Sequence, residues 1–374
     1  MPARSPSNRP LLIAAISGRA LAAAARRAGY RPLVADFFCD DDTRVLAGRV
    51  ARLPGDLRSG IDGGALVDCL KALAGSEEPA ALVYGSGFEG RPELIAEMGR
   101  HFPVAGNGAE TVRRTKDPQR LAEDCAALGI PHPAFSWAAP SDPEHWVVKK
   151  VGGAGGSHVR RADGAVSAPG CYFQRFVPGQ SVSVLFVGDG RAARIVGFSR
   201  QWTAPTPTAP HRYGGAVRLK RFDRSHAQTI SGWLSGLTAR TGLKGLCSAD
   251  FIGSGDALHL VEVNPRPGAT LDIFDSDEAP LFEAHLAAAE GAACRLPRFA
   301  DCMASMIVYT RGPIDRFPAI AWPEGVADRQ SPGTRLQPGE PVCTAFARGP
   351  TAAASRRAVG HLAERLRQNW EEGT

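Results

Sequence analysis

The feature that most constrains the fold of this chain is a pair of apolar segments that carry acidic and amide side chains. Asp250 lies in the segment LCSADFI, and Glu262 and Asn264 lie in the segment LHLVEVNPRPG. Turn-forming residues at 253–256 separate the two segments, so the sequence predicts a β-hairpin. Because side chains alternate between the faces of a strand, Glu262 and Asn264 share a face, and strand pairing brings Asp250 beside them.

Two carboxylates and an amide oxygen on one sheet face form an all-oxygen donor set, which Mg²⁺ prefers. The alternative interpretation is a polar sheet face in contact with solvent. Metal binding is favoured because Phe251, Val261 and Val263 have the pattern of buried residues. The sequence Pro-Arg-Pro-Gly at 265–268 also ends the second strand directly after the acids.

The length and the cysteine content limit the classes of protein to which this chain could belong. A chain of 374 residues exceeds the usual size of a single hydrophobic core, so two to four domains are expected. No apolar segment approaches the ~20 residues of a membrane span, and the N-terminus lacks the pattern of a secretory signal. The eight cysteines form no CxxC pair, which argues against zinc and disulfides. We expect a cytoplasmic protein without a membrane partner.

The positive charge of the chain comes almost entirely from arginine. The net charge is +6, and 38 arginines stand against 6 lysines without any long basic run. An anionic small substrate or a nucleotide explains this surplus as well as nucleic acid does, and we expect no nucleic-acid partner. Where arginine is the usual cation, a lysine marks a position that needs a compact charge. Lys116, Lys149 and Lys150 are half of the six.

The order of local patterns predicts a small α/β unit followed by a longer, β-rich region. Up to about residue 110, strand patterns at 11–16, 32–37 and 80–84 alternate with helix patterns at 20–28 and 66–73. A further helix has Asp117 as its N-cap, Pro118 in its first turn and Gly129 at its end. Beyond it we expect β structure at 146–187, a surface loop at 203–215, and helices at 226–241, 279–290 and 351–369.

A glycine-rich loop follows the strand that carries two of the lysines. The window HWVVKKVGGAGGSHV contains Gly152, Gly153, Gly155 and Gly156, and then Ser157. Without Cβ atoms, such a loop brings backbone N–H groups close to phosphate oxygens. It is not a P-loop, because no GK[ST] follows. An ordinary glycine-rich hairpin remains the alternative for this window taken alone.

A second glycine pattern competes with the first. Gly85, Gly87 and Gly90 have the G-x-G-x-x-G spacing of a dinucleotide site, after a strand and before a helix. The pattern falls later in its domain than such a site normally does, and no acidic residue ends a strand about 20 residues onward. We favour a substrate-binding loop that uses Glu89, with an NAD-binding oxidoreductase as the alternative.

The chain resembles the ATP-grasp superfamily over nearly its whole length. The resemblance is carried by four windows in this order: Lys116, VVKK with its glycine loop, QRFVPGQSVSV and D…E-x-N-P-R. The resemblance implies a mixed α/β and α+β architecture with the ATP-grasp fold. Its parts would be a pre-grasp parallel α/β domain (1–110), a small lobe with the glycine loop (111–178), a large lobe with the metal site (179–298) and a small C-terminal β-rich extension (299–374).

The resemblance also assigns residues. Lys116 and Lys149 would hold the ATP phosphates, and Arg266 would face the reacting carboxylate or acyl phosphate. Asp250, Glu262 and Asn264 would bind two Mg²⁺ ions, which Mn²⁺ could replace. The remaining nucleotide contacts would come from the glycine loop and the strand after it: Gly153, Gly155, Gly156, Ser157, Gln174, Arg175 and Val177. One departure is Gln174, where many members have Glu, and Gln180 is another.

The implied activity is ATP-dependent joining of a carboxylate to an amine through an acyl phosphate. Within the superfamily the chain resembles amino-acid ligases such as the tyramine–glutamate ligase of methanofuran-type cofactor synthesis. Basic residues in predicted loops (Arg19, Arg212, Arg218 and Lys220) fit a dicarboxylate such as glutamate. A D-alanine-type or peptide ligase, a carboxylating purine enzyme and a nucleotide-binding protein without ligase activity remain open, as does homodimerisation.

Overall fold

The computed structural model describes residues 8–57, 59–254 and 257–371. The predicted hairpin turn at 253–256 is therefore described only in part, because Gly255 and Asp256 lie outside these ranges. None of the described helices is both long and apolar enough to cross a membrane.

The N-terminal unit is a parallel sheet covered on both faces, as its alternation of strands and helices predicts. Its sheet order is β3-β2-β1-β6, and all of these pairs are parallel. Leu11 and Ile13 of the first strand face one core, whereas Leu12 and Ala14 face the other. The elements are β1 (Pro10–Ala14), α1 (Arg19–Arg27), β2 (Arg31–Asp36), α2 (Asp41–Leu46), β3 (Arg49–Arg52), β4 (Gly55–Asp56), β5 (Gly60–Ile61), α3 (Gly63–Ala74), β6 (Leu82–Tyr84) and α4 (Glu93–Gly99).

A helical link and a small antiparallel sheet follow. The link is α5 (Ala109–Lys116) and α6 (Pro118–Leu128), and the sheet contains β7 (Phe135–Ser136), β8 (Trp146–Lys150), β9 (Arg160–Arg161) and β10 (Cys171–Arg175) in the order β7-β10-β8-β9. The predicted helix boundaries are confirmed. Asp117 accepts hydrogen bonds from two backbone N–H groups at the start of α6, and Gly129 ends it with a φ of 64°.

The rest of the chain forms one eight-stranded antiparallel sheet with helices packed on it. Its order is β15-β14-β11-β12-β13-β16-β18-β17, so the predicted C-terminal extension continues the sheet of the predicted large lobe. Its elements are β11 (Gln180–Asp189), β12 (Ala193–Thr203), β13 (Tyr213–Arg218), α7 (Arg224–Thr241), β14 (Lys244–Ser254), β15 (Ala257–Asn264), α8 (Leu271–Phe274), α9 (Leu281–Ala289), β16 (Cys302–Tyr309), β17 (Val326–Ala327), β18 (Pro341–Gly349) and α10 (Ala352–Glu371).

Buried polar side chains join the N-terminal unit to the large sheet. Asn107 donates through Nδ2 to the carbonyl oxygens of Lys244 and Pro265 (both 2.9 Å), and its Oδ1 accepts from the N–H of Lys244 (2.8 Å). His285 on α9 accepts through Nδ1 from the N–H of Leu246 (2.9 Å), and its Nε2 lies 3.1 Å from the carbonyl oxygen of Ala105. These contacts fix the position of the chain just before α5 against β14.

His285 makes folding stability depend on pH. Its Nδ1 must remain unprotonated to accept the Leu246 N–H, and burial lowers the pKa of the imidazole to about 4. The unfolded chain takes up this proton near pH 6.5, so stability is lost as pH falls from about 6.5 toward 4. We expect a loss of about 2 kcal/mol between pH 7 and pH 5 from this group.

The measurement is urea denaturation at several pH values for the wild type and His285→Gln. The variant should be less stable at pH 7 and should lose less stability on acidification. His361→Gln is the matched control, because His361 is exposed on α10. Equal pH dependence in the wild type and His285→Gln would contradict this role.

Candidate active site

The hairpin of β14 and β15 brings the three predicted metal ligands together. Asp250 is paired directly with Glu262, and Ser248 is paired with Asn264. Asn264 donates through Nδ2 to Asp250 Oδ2 at 3.1 Å. The register shifts just after Asp250, so Val261 is the extra residue of a β-bulge beside the acids. The predicted shared face is confirmed, while the role of these side chains as metal ligands stays a prediction.

Lys116, the last residue of α5, places its ammonium group against this cluster. Its Nζ lies 2.6 Å from Glu262 Oε1 and 2.8 Å from Asn264 Oδ1. The lysine is buried, and the hydrogen bonds span nearly 150 residues of sequence. A positive charge therefore already contacts two of the oxygen atoms that the metal hypothesis assigns to Mg²⁺. This observation shows that the donor set fits a cation.

The two carboxylates have opposite electrostatic environments. Burial raises the pKa of Glu262, but the charges of Lys116 and Lys149 outweigh it and lower the pKa to about 2. Burial and the neighbouring charge of Glu262 raise the pKa of Asp250. A divalent cation at this pair would favour the ionised form of both carboxylates. The predicted donor set has two carboxylates and an amide, and no cluster of three or more His, Cys, Asp or Glu side chains among the described residues could hold a metal ion.

Lys149 faces the cleft, whereas its neighbour Lys150 is exposed. The Nζ atom of Lys149 lies 3.3 Å from Gln174 Oε1 and 3.4 Å from the carbonyl oxygen of Val261. Burial lowers the pKa of this ammonium, but nearby Tyr172 and the acids outweigh it, so the pKa is raised. Of the two lysines in VVKK, Lys149 is therefore the one whose side chain lies in the cleft, and its contact with a phosphate stays a prediction.

The glycine loop is held between two other loops. A Cβ atom on Gly152 would lie 2.3 Å from Gly90 Cα, and one on Gly156 would lie 2.0 Å from the carbonyl oxygen of His211. The carbonyl oxygen of Gly155 accepts from the N–H of Tyr213 at 3.0 Å. The glycines are needed here for close backbone contact as well as for the positive φ angles of Gly152, Gly155 and Gly156.

In this arrangement the cleft is closed. The cavity beside the glycine loop measures about 20 Å³ and is lined by Lys116, Lys149, Gly153, His158 and Glu262, among others. A cavity of this size holds about one water molecule, far less than a nucleotide. Nucleotide binding therefore requires the glycine loop to move away from Gly90 and from the loop at 204–212.

The other predicted nucleotide contacts are placed unequally. Gln174 is buried beside Lys149, and Val177 is half-buried after the end of β10. Ser157 is exposed on the glycine loop. The side chain of Arg175 is not brought into the cleft, because it is exposed and pairs with Asp142 at 3.2 Å. Adjacent strand residues point to opposite faces, so Gln174 and Arg175 cannot both face the nucleotide through their side chains.

Arg266 and Glu89 form a buried ion pair at the edge of the acidic cluster. The Nε atom of Arg266 donates to Glu89 Oε1 at 2.7 Å, and Glu89 Oε2 accepts from the N–H of Gly87 at 2.8 Å. Burial lowers the pKa of Arg266, but the charge of Glu89, with smaller contributions from Glu262 and Asp250, outweighs burial and raises it, as expected for a residue near the acidic cluster. The G-x-G-x-x-G loop thus directs the Gly87 amide to a carboxylate of its own, which speaks against a dinucleotide there.

Two of the basic residues predicted to fit a dicarboxylate are already neutralised. Arg19 makes two hydrogen bonds to Asp272 (2.6 and 2.7 Å) and two to Asp328 (3.0 and 3.1 Å). Arg218 is buried and pairs with Asp301. This part of the substrate prediction is corrected: buried arginines need acidic partners, and sequence spacing did not reveal them.

Sequence reasoning missed the groups that hold Asp250. Gln201 on β12 donates through Nε2 to Asp250 Oδ1 at 3.3 Å. Ser183 lies opposite Asp250 on β11, and its side chain lowers the pKa of this carboxyl against the larger effect of burial. The available signal was the alternation of polar and apolar residues in SVSV and the placement of Ser199 and Gln201 two positions apart, which puts them on one face of the next strand.

Comparisons with known proteins agree with this geometry. Residues 116–270 match the family model described as an ATP-grasp domain, a range that begins at Lys116 and includes every residue predicted to bind the nucleotide or the metal, and Arg266. No curated protein matches the chain. Among solved structures, the biotin carboxylase domain of Hydrogenobacter thermophilus 2-oxoglutarate carboxylase has a TM-score of 0.71 at 13% identity, covering 94% of this chain and 89% of that chain.

Two further solved structures, named as a ligase and a synthetase, are also similar. The L-amino acid ligase from Bacillus licheniformis has a TM-score of 0.69 at 14% identity, covering 96% of this chain and 97% of that chain. The N5-carboxyaminoimidazole synthetase from Staphylococcus aureus has a TM-score of 0.67 at 12% identity, covering 95% and 97%. At these identities the similarity shows the fold. The chain therefore contains an ATP-grasp domain at residues 116–270 and has the ATP-grasp fold.

Proposed function

We propose that the protein is an ATP-dependent ligase that activates a substrate carboxylate as an acyl phosphate and joins it to an amine, with ADP and phosphate as products. The observation that carries this proposal is the meeting of two kinds of groups in one buried cleft. Asp250, Glu262 and Asn264 supply oxygen donors for Mg²⁺, and Lys116 and Lys149 supply positive charge beside them.

Each group has a task in this reaction. Asp250, Glu262 and Asn264 would hold two Mg²⁺ ions, which Mn²⁺ could replace. When bound, the ions neutralise charge on the phosphates during transfer. Lys149, with the backbone of Gly153, Gly155 and Gly156, would hold the phosphate oxygens. After the nucleotide has bound, the glycine loop would cover it and exclude water from a reactive acyl phosphate.

Arg266 would orient the substrate carboxylate. Glu89 fixes the Nε edge of its guanidinium group, so the direction of the remaining N–H groups is set before the substrate binds. Preorganised donors of this kind also stabilise the negative oxygen that develops when the amine attacks the acyl phosphate. No side-chain nucleophile is needed, because the carboxylate attacks ATP and the amine attacks the product of that step.

The proposed substrates are an amino acid, such as glutamate, and an amine, within cofactor biosynthesis in the cytoplasm. Support comes from the similarity to a protein named as an L-amino acid ligase. The competing function is nucleotide binding without ligation. Intact oxygen donors favour ligation, because a binding protein has no need of a metal site. The domain boundaries given above and a homodimer remain predictions.

The test is a screen for phosphate release with MgATP, in which each common amino acid is combined with other amino acids and with small amines, including tyramine. We expect at least one pair to release phosphate and ADP in equal amounts and to yield the amide by mass spectrometry. MgATP binding without phosphate release from any pair would favour the binding protein instead.

Glu262→Gln should lower the turnover of an active pair by about 1000-fold, because a bound metal supplies several kcal/mol of transition-state stabilisation. Circular dichroism should show that the variant is folded. Glu283→Gln is the control, since Glu283 is exposed on α9, and its rate should match the wild type. Turnover of Glu262→Gln near the wild-type rate would refute the metal assignment.

Lys149→Ala should raise the KM for ATP by about 10- to 100-fold, as expected for loss of a hydrogen bond to a charged group. The matched control is Lys150→Ala, which removes the same charge from the next, exposed position. The KM for ATP is measured for both variants by phosphate release. An increase in Lys150→Ala but not in Lys149→Ala would reverse the assignment.

A further inference from the structure

The hydroxyl group of Tyr213 is buried, and it makes no hydrogen bond with any of the described residues. Such a group costs stability, because the hydrogen bonds that it made to water in the unfolded chain are not replaced. The hydroxyl of Ser305, on the neighbouring strand β16, is close enough to affect the pKa of Tyr213, but the two groups do not form a hydrogen bond. A buried donor without an acceptor calls for an explanation.

The backbone of Tyr213 is fixed at both of its polar groups. Its N–H donates to the carbonyl oxygen of Gly155 in the glycine loop at 3.0 Å. Its carbonyl oxygen accepts from the Tyr309 hydroxyl at 2.8 Å. The unpaired side-chain hydroxyl therefore belongs to a residue that is rigidly placed where the glycine loop meets the large sheet. Rigid placement is what a substrate-binding group needs.

Two acids, Asp250 and Asp272, are close enough to the Tyr213 hydroxyl to affect its pKa. Burial raises the pKa of Tyr213, and the charges of Asp250 and Asp272 raise it further, so the phenol keeps its proton at neutral pH. It can therefore act as a donor. Arg19 neutralises Asp272 through two hydrogen bonds, and the proposed metal site would neutralise Asp250. With both charges offset, these two acids would not repel an anionic substrate group that approaches the Tyr213 hydroxyl.

We propose that the Tyr213 hydroxyl donates a hydrogen bond to the substrate carboxylate, and so acts with Arg266 to bind the acid that is to be phosphorylated. This proposal rests on the proposed ligase function and extends it to a residue outside the hairpin. The N–H of the same residue contacts the glycine loop in its closed position, so the proposed acid-binding residue adjoins the loop that must move to admit the nucleotide.

Tyr213→Phe removes only the unpaired oxygen, so the direction of the expected change in stability is clear. In the free protein the melting temperature should stay the same or rise. Thr238→Val is the matched control, because the Thr238 hydroxyl is also buried without a hydrogen bond but lies on α7, in a different hydrophobic core. Each protein is then heated with MgADP and with each common amino acid in turn.

We expect one or more amino acids to raise the melting temperature of the wild type and of Thr238→Val beyond the effect of MgADP alone. Tyr213→Phe should lose this increment while keeping the response to MgADP. With an active pair, its kcat/KM for the acid should fall about 10- to 100-fold, as for loss of a hydrogen bond to a charged group, and its KM for ATP should be unchanged.

The proposal would be overturned if an amino acid raised the melting temperature of Tyr213→Phe as much as that of the wild type. It would also be overturned if no amino acid raised the melting temperature of the wild type beyond the effect of MgADP. Failure of the ligase function gives a different result: an amino acid would raise the melting temperature only when Tyr213 is present, but no pair of substrates would release phosphate.

Discussion

The structure depends on how buried negative charge is balanced on one hairpin. Asp250 and Glu262 lie directly opposite each other on β14 and β15. At about 5 Å, two carboxylates repel each other by about 3 kcal/mol even at an effective dielectric constant of 20. Lys116 offsets this repulsion at Glu262, and hydrogen bonds from Asn264 and Gln201 support Asp250. The balance is incomplete, because the pKa of Asp250 stays raised.

An incompletely balanced acid pair is a site that favours added cations. The same balance explains the positions of the surrounding elements. The helix α5 ends where its last residue can reach Glu262, and Asn107 holds the chain before α5 against β14. The glycine loop is closed over the acids by backbone contacts with two other loops. The charged side chains and the loop that closes over them therefore lie in the same cleft.

Much of the fold and of the candidate site could be predicted from local sequence. The shared face of Asp250, Glu262 and Asn264 follows from strand alternation, and the bounds of α6 follow from Asp117, Pro118 and Gly129. The partners of long side chains could not be predicted in the same way. Arg19 meets Asp272 and Asp328 across more than 250 residues of sequence, and Arg266 meets Glu89 across 177. Such pairs are set by the packing of distant elements, which spacing along the chain does not encode.

The most direct test is crystallographic location of Mn²⁺ by its anomalous scattering, in crystals grown with MnCl₂ and a non-hydrolysable ATP analogue. We expect Mn²⁺ within coordination distance of the carboxylates of Asp250 and Glu262, with Lys116 displaced from Glu262 toward the phosphates and the glycine loop covering the nucleotide. A bound nucleotide with no Mn²⁺ at these carboxylates, and with Lys116 still in contact with Glu262, would contradict the assignment of this hairpin as the metal site.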